Sequence, residues 1–405
     1  MRNAGSGRTQ VGVKMVARSG EDYDGLDLLD ETFATNYDAI TGNIVEHCPV
    51  AHTAAGWLVS KYEDVREGLN QWEVFSSGAG GVNPWRPENF HFLKPNEVDP
   101  PLHGKFRRPF QRLFAPGSTA LLEQPMRETA RWLVAKIVER GTCEVATDYA
   151  RPFVGITFFK HVLGLQQHDA VEFTELVHAF LNGPLEQQNA AAAEYVERCD
   201  DALRSYSVGS RTSEMLETIL ALEIDGQPAS WDDKRAVLSL MIIGGLDTTV
   251  FSITSLLNHL CDDEASRRRI AQDRSLVPAA VEEGLRLFAP AWMLGRTAMR
   301  DVELRGRTIK AGEYVLLSFG LANKDPDVFE NPLDFDLDRP AQKHIAFGAG
   351  PHRCIGSHLA RLEIQVMLEE WFASIPEFRR HPGTKATYTT TLVRGVSELH
   401  IDVGG

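Results

Sequence analysis

The chain has 405 residues, of which 43% are hydrophobic and 24% are charged, a balance typical of a folded globular protein. Its 42 Lys and Arg against 56 Asp and Glu give a net charge of −14, which repels a phosphate backbone, so we expect no nucleic-acid partner. Five cysteines without a CxxC pair exclude a disulfide framework and indicate a reducing compartment.

The N-terminal region is basic and lacks the apolar segment of a secretory signal, so we expect a cytoplasmic protein. We predict a flexible N-terminal arm over residues 1–25 and a single domain over residues 26–405, because no repeat, low-complexity tract or composition change marks a linker. Residues 77–101 read as a long loop rich in proline and aromatic side chains, and such loops are usually functional.

Helical periodicity predicts helices over residues 121–140, 171–180, 191–205 and 213–222. Residues 231–260 then predict one uninterrupted helix of about 45 Å. Ser230 and Asp233 form a capping-box-like start for it. The segment is long enough to span a bilayer, but Asp247 lies at its centre, where a charge is costly in lipid. We therefore predict a buried central helix and no membrane association.

Short alternating runs over residues 302–309, 314–318 and 388–403 predict strands in the last third of the chain. The fold class that follows is mainly α with a minor β component (α+β) in one large domain.

Residues 347–356, FGAGPHRCIG, place Cys354 in a glycine-rich loop directly before a predicted helix over residues 357–374. The positive end of a helix dipole lowers the pKa of a cysteine there and favours the thiolate. Such a thiolate suits nucleophilic attack or metal ligation. One interpretation is therefore a catalytic nucleophile or a zinc site that Cys354 forms with His344, His352 and His358.

The same decapeptide resembles the haem-binding loop of the cytochrome P-450 superfamily, F-G-x-G-x-H/R-x-C-x-G, and matches it at every position. The resemblance implies the P-450 fold, a triangular prism with a long central helix over the haem. It further implies haem b as the cofactor, Cys354 as the iron ligand, and Phe347 and Gly356 as haem-binding residues.

Residues 244–249, GGLDTT, resemble the family's A/G-G-x-D/E-T motif. Two adjacent glycines cost a helix interior about 1 kcal/mol each, and a flat macrocycle against Gly244 would explain them. By resemblance, Asp247 and Thr248 are the catalytic pair that delivers protons during oxygen activation.

Glu283 and Arg286, three residues apart on a predicted helix, can form a bidentate ion pair on one helix face. Together with Arg339 in FDLDRP they resemble the family's Glu-Arg-Arg lock, which implies a structural role.

Residues 99–107, DPPLHGKFR, resemble the family's D-P-P-x-H-x-x-x-R segment. The resemblance assigns the haem propionates to His103 and Arg107, and adds Arg296 in GRTA and His352. Buried anions need cationic or hydrogen-bonding partners, which these side chains supply.

Positions relative to these motifs predict an apolar substrate pocket, which suits a terpenoid or a small aromatic molecule. Nearby Arg86, His91 and Lys94 leave a carboxylated substrate open. The predicted pocket residues are Trp85, Phe90, Phe92, Leu93, Phe180, Leu181, Leu240, Ile243, Trp292, Met293, Leu392 and Val393.

The resemblance implies a monomeric haem-thiolate monooxygenase that inserts one atom of O2 into a small to medium apolar substrate, typically by hydroxylation. Its GGLDT and IPEF segments are most similar to bacterial terpene hydroxylases of the camphor-hydroxylase type. Electrons would come from a 2Fe-2S ferredoxin and its NAD(P)H-dependent reductase, docking near Arg107, Arg112 and Arg353. A peroxide-using haem-thiolate enzyme and a non-catalytic haem-thiolate binding protein remain alternatives, although the Asp-Thr pair favours oxygen activation.

Overall fold

The computed structural model describes residues 23–86, 90, 93–165, 167–182, 185–210, 212–340 and 343–404. Helices dominate and the strands form small sheets, which confirms the mainly α fold with a minor β component. The predicted N-terminal arm lies outside the described residues as far as residue 22.

The helices provide most of the described structure. Two π-helical segments, Ala146–Ala150 and Ile156–Val162, flank one of them. The helices are α1 (Glu31–Thr35), α2 (Tyr37–His47), α3 (Tyr62–Asn70), α4 (Leu102–Arg107), α5 (Pro116–Ala120), α6 (Glu123–Arg140), α7 (Arg151–Gly155), α8 (Gln167–Asn182), α9 (Leu185–Ser205), α10 (Glu214–Leu220), α11 (Trp231–Gly245), α12 (Asp247–Asp262), α13 (Glu264–Gln272), α14 (Val277–Phe288), α15 (Phe319–Ala322) and α16 (Ser357–Ser374).

The strands are β1 (Val50–Thr53), β2 (Gly56–Val59), β3 (Phe75–Ser76), β4 (Thr142–Glu144), β5 (Glu223–Ile224), β6 (Gln227–Pro228), β7 (Leu294–Ala298), β8 (Val302–Leu304), β9 (Arg307–Ile309), β10 (Tyr314–Leu317), β11 (Phe378–Arg380), β12 (Thr387–Thr390), β13 (Arg394–Glu398) and β14 (His400–Val403). The largest sheet has the order β1-β2-β10-β7-β3. In it β10 runs parallel to β2 and antiparallel to β7, with Val315 opposite Arg296. This register fixes Arg296 on an inner strand of the sheet.

The predicted central helix is interrupted. It is built from α11 and α12, and Leu246 between them has φ −93° and ψ −79°. The prediction of one uninterrupted helix was therefore wrong at this residue. Its start was correct, because Ser230 accepts a hydrogen bond from the Asp233 N–H. The stretch Trp231–Asp262 has the length and the mean hydropathy, 1.8, of a membrane span, but 72% of that window is buried inside the protein.

The interrupted helix lies at the centre because its apolar residues pack on every side. Helix α12 contacts α7, α14, α16 and β13. Helix α16, which begins three residues after Cys354, also packs against α6 and α14. The helix that follows the cysteine loop and the helix that carries Asp247 therefore share one hydrophobic core.

Candidate functional site

The break at Leu246 has a local cause in the Thr residues that follow it. The Thr248 hydroxyl donates to the Gly244 carbonyl at 2.9 Å, and the Thr249 hydroxyl reaches the Gly245 carbonyl at 3.5 Å. Hydroxyls that bond the carbonyl four residues back compete with the helix ladder and bend helices. The sequence thus opens the helix beside Asp247 and Thr248.

The two glycines before the break face different surroundings. A Cβ on Gly245 would meet the Phe158 ring at 3.4 Å, whereas a Cβ on Gly244 would meet nothing within 4 Å. Gly244 is exposed although it lies near the end of α11, whose middle residues are buried. The helix therefore presents a flat, side-chain-free surface to an open interior space, as a planar ligand requires.

The Cys354 loop is held by its own backbone. The Cys354 N–H donates to the Phe347 carbonyl at 2.8 Å, and Gly348 and Gly350 have positive φ angles of 69° and 66°. A Cβ on Gly350 would overlap the Leu69 carbonyl oxygen. The glycines therefore give both the loop conformation and its close approach to the end of α3.

Cys354 is exposed, but the space that its thiol borders lies inside the protein. This desolvation raises the pKa of the thiol above its ordinary value. The Gly356 N–H and the cations of Arg107, Arg353 and Arg361 oppose the increase. The helix N-terminus alone predicts a lowered pKa for the Cys354 thiol, but the effect of burial on that pKa is larger. A metal would restore the thiolate, because a coordinating thiol is deprotonated outright.

The zinc alternative was wrong. Among the described residues, which include Cys354 and the three histidines, no group of three or more potential ligands is arranged to hold a metal ion. His344 is instead bonded to Glu282 at 3.0 Å, and His352 packs its ring 4.3 Å from that of His103.

Cationic and imidazole groups cluster beside the cysteine loop. His103, Arg296 and His352 lie together, and the Ser77 hydroxyl is 3.2 Å from His352 Nε2. Arg296 is 2% exposed and donates to its own Gly295 carbonyl. Within the described chain it has no ion pair, and His103 Nε2 has no hydrogen-bond partner.

The electrostatics of this cluster call for an anion. Burial, with Arg296 and His103, lowers the pKa of His352 to about 2, and burial lowers the pKa of Arg296 to about 10. Burial also lowers the pKa of His103 to about 4. At these pKa values both histidines are neutral at neutral pH, and a buried Arg296 cation without a salt bridge among the described residues is costly. Propionates would pair with Arg296 and accept hydrogen bonds from the two histidines, so the residues present fit haem.

Arg107 lies at the edge of this cluster rather than inside it. Its guanidinium donates to the Arg353 carbonyl in the cysteine loop, and burial lowers its pKa. Arg112 is exposed and forms an ion pair with Glu214. The guanidinium of Arg361 lies 4.5 Å above the Phe347 ring.

The predicted Glu-Arg-Arg contact forms as a buried network. Arg286 and Glu283 are 0% and 2% exposed and make two hydrogen bonds of 2.8 Å, and Arg339 Nε donates to the same carboxylate at 2.9 Å. Arg286 also donates to the carbonyls of Asn323, Pro332 and Asp334. It therefore ties α14 to the chain segment that leads to the cysteine loop.

Asp247 is the first residue of α12, and its side chain is 1% exposed. His178 Nδ1 lies 3.5 Å from Asp247 Oδ2. Thr248, one residue on, is half-buried and follows the exposed Gly244 by one helical turn. The structure thus brings a buried carboxylate and a partly exposed hydroxyl to the helix break.

Aromatic side chains beside the predicted pocket pack within the main core, where Phe90, Phe180 and Tyr195 are 8%, 5% and 0% exposed. Phe90 and Phe180 have ring centroids 4.8 Å apart, and Phe180 stacks on Tyr195 at 5.6 Å. Sequence reasoning missed Tyr195, whose hydroxyl donates to the Ser239 carbonyl at 2.9 Å. Several other predicted pocket residues are half-buried against the same core, as a lining residue should be: Leu93, Leu181, Ile243 and Val393.

Two predicted pocket residues are core residues instead. Trp292 is 1% exposed, stacks on Phe33 at 6.0 Å and donates from Nε1 to the Thr391 carbonyl, while Met293 is fully buried. Trp292 and Met293 belong to a second hydrophobic core, and Trp85 and Leu392 pack against it. Leu240 is half-buried in α11. Phe92 and His91 lie outside the described residues. The tryptophan was misassigned because sequence position alone does not separate a core from a cavity.

A buried carboxyl behind the break was also missed. Glu363 in α16 is 2% exposed and receives a hydrogen bond from the Thr249 hydroxyl at 3.3 Å. Burial raises its pKa to about 8. No motif singles it out, because it reads as one polar residue in a helix.

Comparisons with known proteins agree with this site. The family model described as cytochrome P450 matches residues 118–374. A relative named probable cytochrome P450 127A1, from Sinorhizobium fredii, is 31% identical over 344 residues, covering 85% of this chain and 82% of the relative. Cytochrome P450-terp from Pseudomonas is 28% identical over 346 residues, covering 78% of this chain and 80% of the relative.

Solved structures agree in fold over almost the whole chain. The structure of cytochrome P450 CYP109Q5 from Chondromyces apiculatus has a TM-score of 0.84 and 27% identity, covering 94% of this chain and 98% of that one. CYP109E1 from Bacillus megaterium, solved in complex with testosterone, has a TM-score of 0.81 and 25% identity, covering 91% of this chain and 98% of that one. The chain therefore belongs to the cytochrome P450 family, as a monooxygenase whose cofactor is haem b.

Proposed function

We propose that this enzyme hydroxylates a compact apolar molecule of terpenoid or small aromatic type. The observation that carries the proposal is a set of partly buried apolar side chains, Leu93, Leu181, Ile243 and Val393, which offers shape and apolar contact rather than charge. A neighbour was solved in complex with testosterone, an apolar ligand, and this supports the proposal of an apolar substrate.

In this proposal Cys354 would hold the haem iron, Gly244 would leave room for the porphyrin, and His103, Arg296 and His352 would hold the propionates. Phe347 and Gly356 shape the loop around the thiolate, and Arg107 supports it. Bound haem supplies an iron whose thiolate ligand favours cleavage of the O–O bond.

The residues at the helix break handle protons. Asp247 accepts and releases a proton at its carboxylate oxygens, and the Thr248 hydroxyl, fixed by its bond to the Gly244 carbonyl, presents its oxygen to the open side of the helix. In this proposal protons reach the site through these two residues.

Electrons, in the same proposal, come from a 2Fe-2S ferredoxin and its NAD(P)H-dependent reductase in the cytoplasm, and the enzyme acts as a monomer. The exposed Arg112 and Arg353 and the nearby Arg107 give a cationic patch beside the cysteine loop despite the acidic total charge. Such docking weakens with salt, so the reduction rate should fall as ionic strength rises. A rate that does not depend on salt would contradict the docking surface.

The test of the function combines ligation with turnover. The reduced carbon monoxide adduct should show the absorption band of thiolate ligation, and Cys354→His should convert it to the band of imidazole ligation. With a surrogate ferredoxin and reductase, a terpenoid and aromatic panel should yield products that carry one atom from 18O2. Product formed equally well from hydrogen peroxide alone would support the peroxide-using alternative, and no product under either condition would support a binding protein.

A further inference from the structure

His178 connects the most buried carboxylate of the site with the protein surface. It lies in α8, and its Nδ1 is 3.5 Å from Asp247 Oδ2. The Asp247 side chain is 1% exposed, whereas that of His178 is 21% exposed. The imidazole therefore bridges the interior carboxylate and solvent.

Arg151 determines which ring nitrogen of His178 carries the proton. Its Nη2 lies 2.9 Å from His178 Nε2, and a guanidinium can only donate. In the neutral ring Nε2 therefore accepts, and the proton sits on Nδ1, which faces Asp247. Arg151 is held in turn by the Ser397 carbonyl at 3.4 Å and by Glu175 at 3.9 Å.

Charged groups face His178 or lie on the elements packed against its helix. Helix α8 packs against α7, α9 and the segment Ile156–Val162. Arg151 faces the ring from α7 and Asp247 from α12, and Glu175 lies one turn earlier on the same helix. Among the described residues the packed elements also carry Lys160, His161, Glu194, Glu197, Arg198, Asp200, Asp201 and Arg204, of which Arg198 pairs with Glu172 at 3.9 Å and with Glu194 at 3.3 Å.

We propose that His178 is the proton-transfer residue that connects Asp247 to solvent during turnover. This inference rests on the proposed function, in which Asp247 delivers protons beside Thr248. When Arg151 turns away, a solvent proton binds Nε2, the Nδ1–H bond breaks, and an O–H bond forms on Asp247. Exchange of ring protons with water then restores the Nδ1–H form, and no electrons move. An imidazole can carry its proton on either ring nitrogen, as such a relay requires.

The first test is the pH dependence of holoenzyme turnover. NADH oxidation is measured with a surrogate 2Fe-2S ferredoxin and reductase, in H2O and D2O, with a monoterpene alcohol as the probe. We expect His178→Gln to lower the rate roughly tenfold and to flatten its pH profile and its D2O effect. His178→Lys keeps a cation but cannot relay near neutral pH, so it should not restore the rate. A wild-type profile in His178→Gln, or rescue by lysine, would overturn the proposal.

The matched control is His259, which pairs with Asp263 at 3.4 Å at the other end of α12. His259→Gln should leave the rate and its pH profile as in the wild type. An equal loss of rate in His178→Gln and His259→Gln would mean that removing either histidine disturbs helix packing. That result would also overturn the proposed relay.

The second test does not depend on turnover. Imidazole nitrogen resonances of the diamagnetic carbon monoxide complex report the protonation of His178, which is assigned by their loss in His178→Gln. Asp247→Asn removes the carboxylate that faces Nδ1, so we expect the Nδ1 resonance of His178 to shift. An unchanged resonance would contradict the contact. If the wild type itself makes no oxygenated product, the proposed function fails, while this resonance still tests the His178–Asp247 pair.

Discussion

Two buried charged regions of this protein differ in how completely they are satisfied. In the Glu283–Arg286–Arg339 network each guanidinium has carboxylate and carbonyl partners within the chain. In the cluster of His103, Arg296 and His352 the neighbouring carboxylate is Asp99, but it forms no salt bridge with Arg296 among the described residues, and His103 Nε2 has no hydrogen-bond partner. The first region is complete without a ligand, whereas the second becomes complete only with an added anion.

The difference separates a structural role from a binding role. A satisfied buried network contributes to folding directly, because removing one member leaves the others uncompensated. An unsatisfied cationic cluster costs free energy of folding and recovers it when an anionic ligand binds. Substitutions in the two regions should therefore change different measured quantities.

The largest effect is expected from Arg286→Met. It leaves Glu283 and several carbonyls buried without their main donor, and we expect the free energy of unfolding to fall by about 3–5 kcal/mol. Urea unfolding followed by circular dichroism measures the loss. The control is Arg269→Met, which breaks an exposed pair with Asp338 at 2.7 Å and should cost less than about 1 kcal/mol. Equal losses of unfolding free energy in Arg286→Met and Arg269→Met would show that the buried network contributes no more to stability than an exposed ion pair.

Arg296→Met should change haem affinity rather than folding. Removing a buried cation that lacks an internal anion leaves the apoprotein as stable as the wild type or more so. Haem should then dissociate faster, by a factor equivalent to about 2–3 kcal/mol, because one propionate loses its partner. Transfer of haem to apomyoglobin measures the rate. A lower apoprotein stability with an unchanged haem affinity would contradict the comparison between the two regions.

Glu363 extends the comparison to a buried carboxyl without a cation. Its pKa of about 8 in the fold exceeds the ordinary 4.5, so the folded state binds more protons and stability falls as pH rises from about 4.5 to 8. Glu363→Gln keeps a neutral group, so it should be more stable than the wild type at pH 8 and no different at pH 4. Urea unfolding at both pH values checks this, and a gain that is independent of pH would contradict it.

Thr248→Ala should have the smallest effect on stability and a clear effect on chemistry. The lost hydrogen bond to the Gly244 carbonyl is worth about 1 kcal/mol or less, but proton delivery loses its hydroxyl. The hydrogen peroxide formed per NADH should rise and product fall. Ser252→Ala is the control, because its hydroxyl makes the same type of bond to the Thr248 carbonyl at 2.8 Å. Unchanged coupling in Thr248→Ala would remove that residue from the proposed mechanism.

Local sequence was most informative where a residue type is required by its own neighbours. The helix predicted over residues 357–374 matches α16 as observed, because glycines before it and apolar periodicity within it set its limits. The helix predicted over residues 121–140 begins at Glu123 instead. The run over residues 388–403 divides into β12, β13 and β14, because its turns fall at residues that alternation does not mark.

Prediction failed where distant segments decide the environment. Trp292 became core because Phe33 and Tyr37, more than 250 residues earlier, cover its ring. The break at Leu246 was missed because a threonine in a helix does not by itself predict that its hydroxyl will compete with the backbone hydrogen bonds. Here that competition interrupts the helix because the helix borders an open space. His178 gave no signal, since its meaning depends on Asp247 and Arg151 from other helices.

The sequence alone determined the chemistry that a short segment can encode: a cysteine before a helix, a carboxyl-alcohol pair in an apolar helix, and an ion pair at a spacing of three. Tertiary structure decided which charges are satisfied. Arg286 and Arg296 are both buried arginines, and only packing shows that one has its anion within the chain and the other lacks one. The reason is that the free energy of a buried charge depends on every group within a few ångströms, and those groups come from segments far apart in the chain.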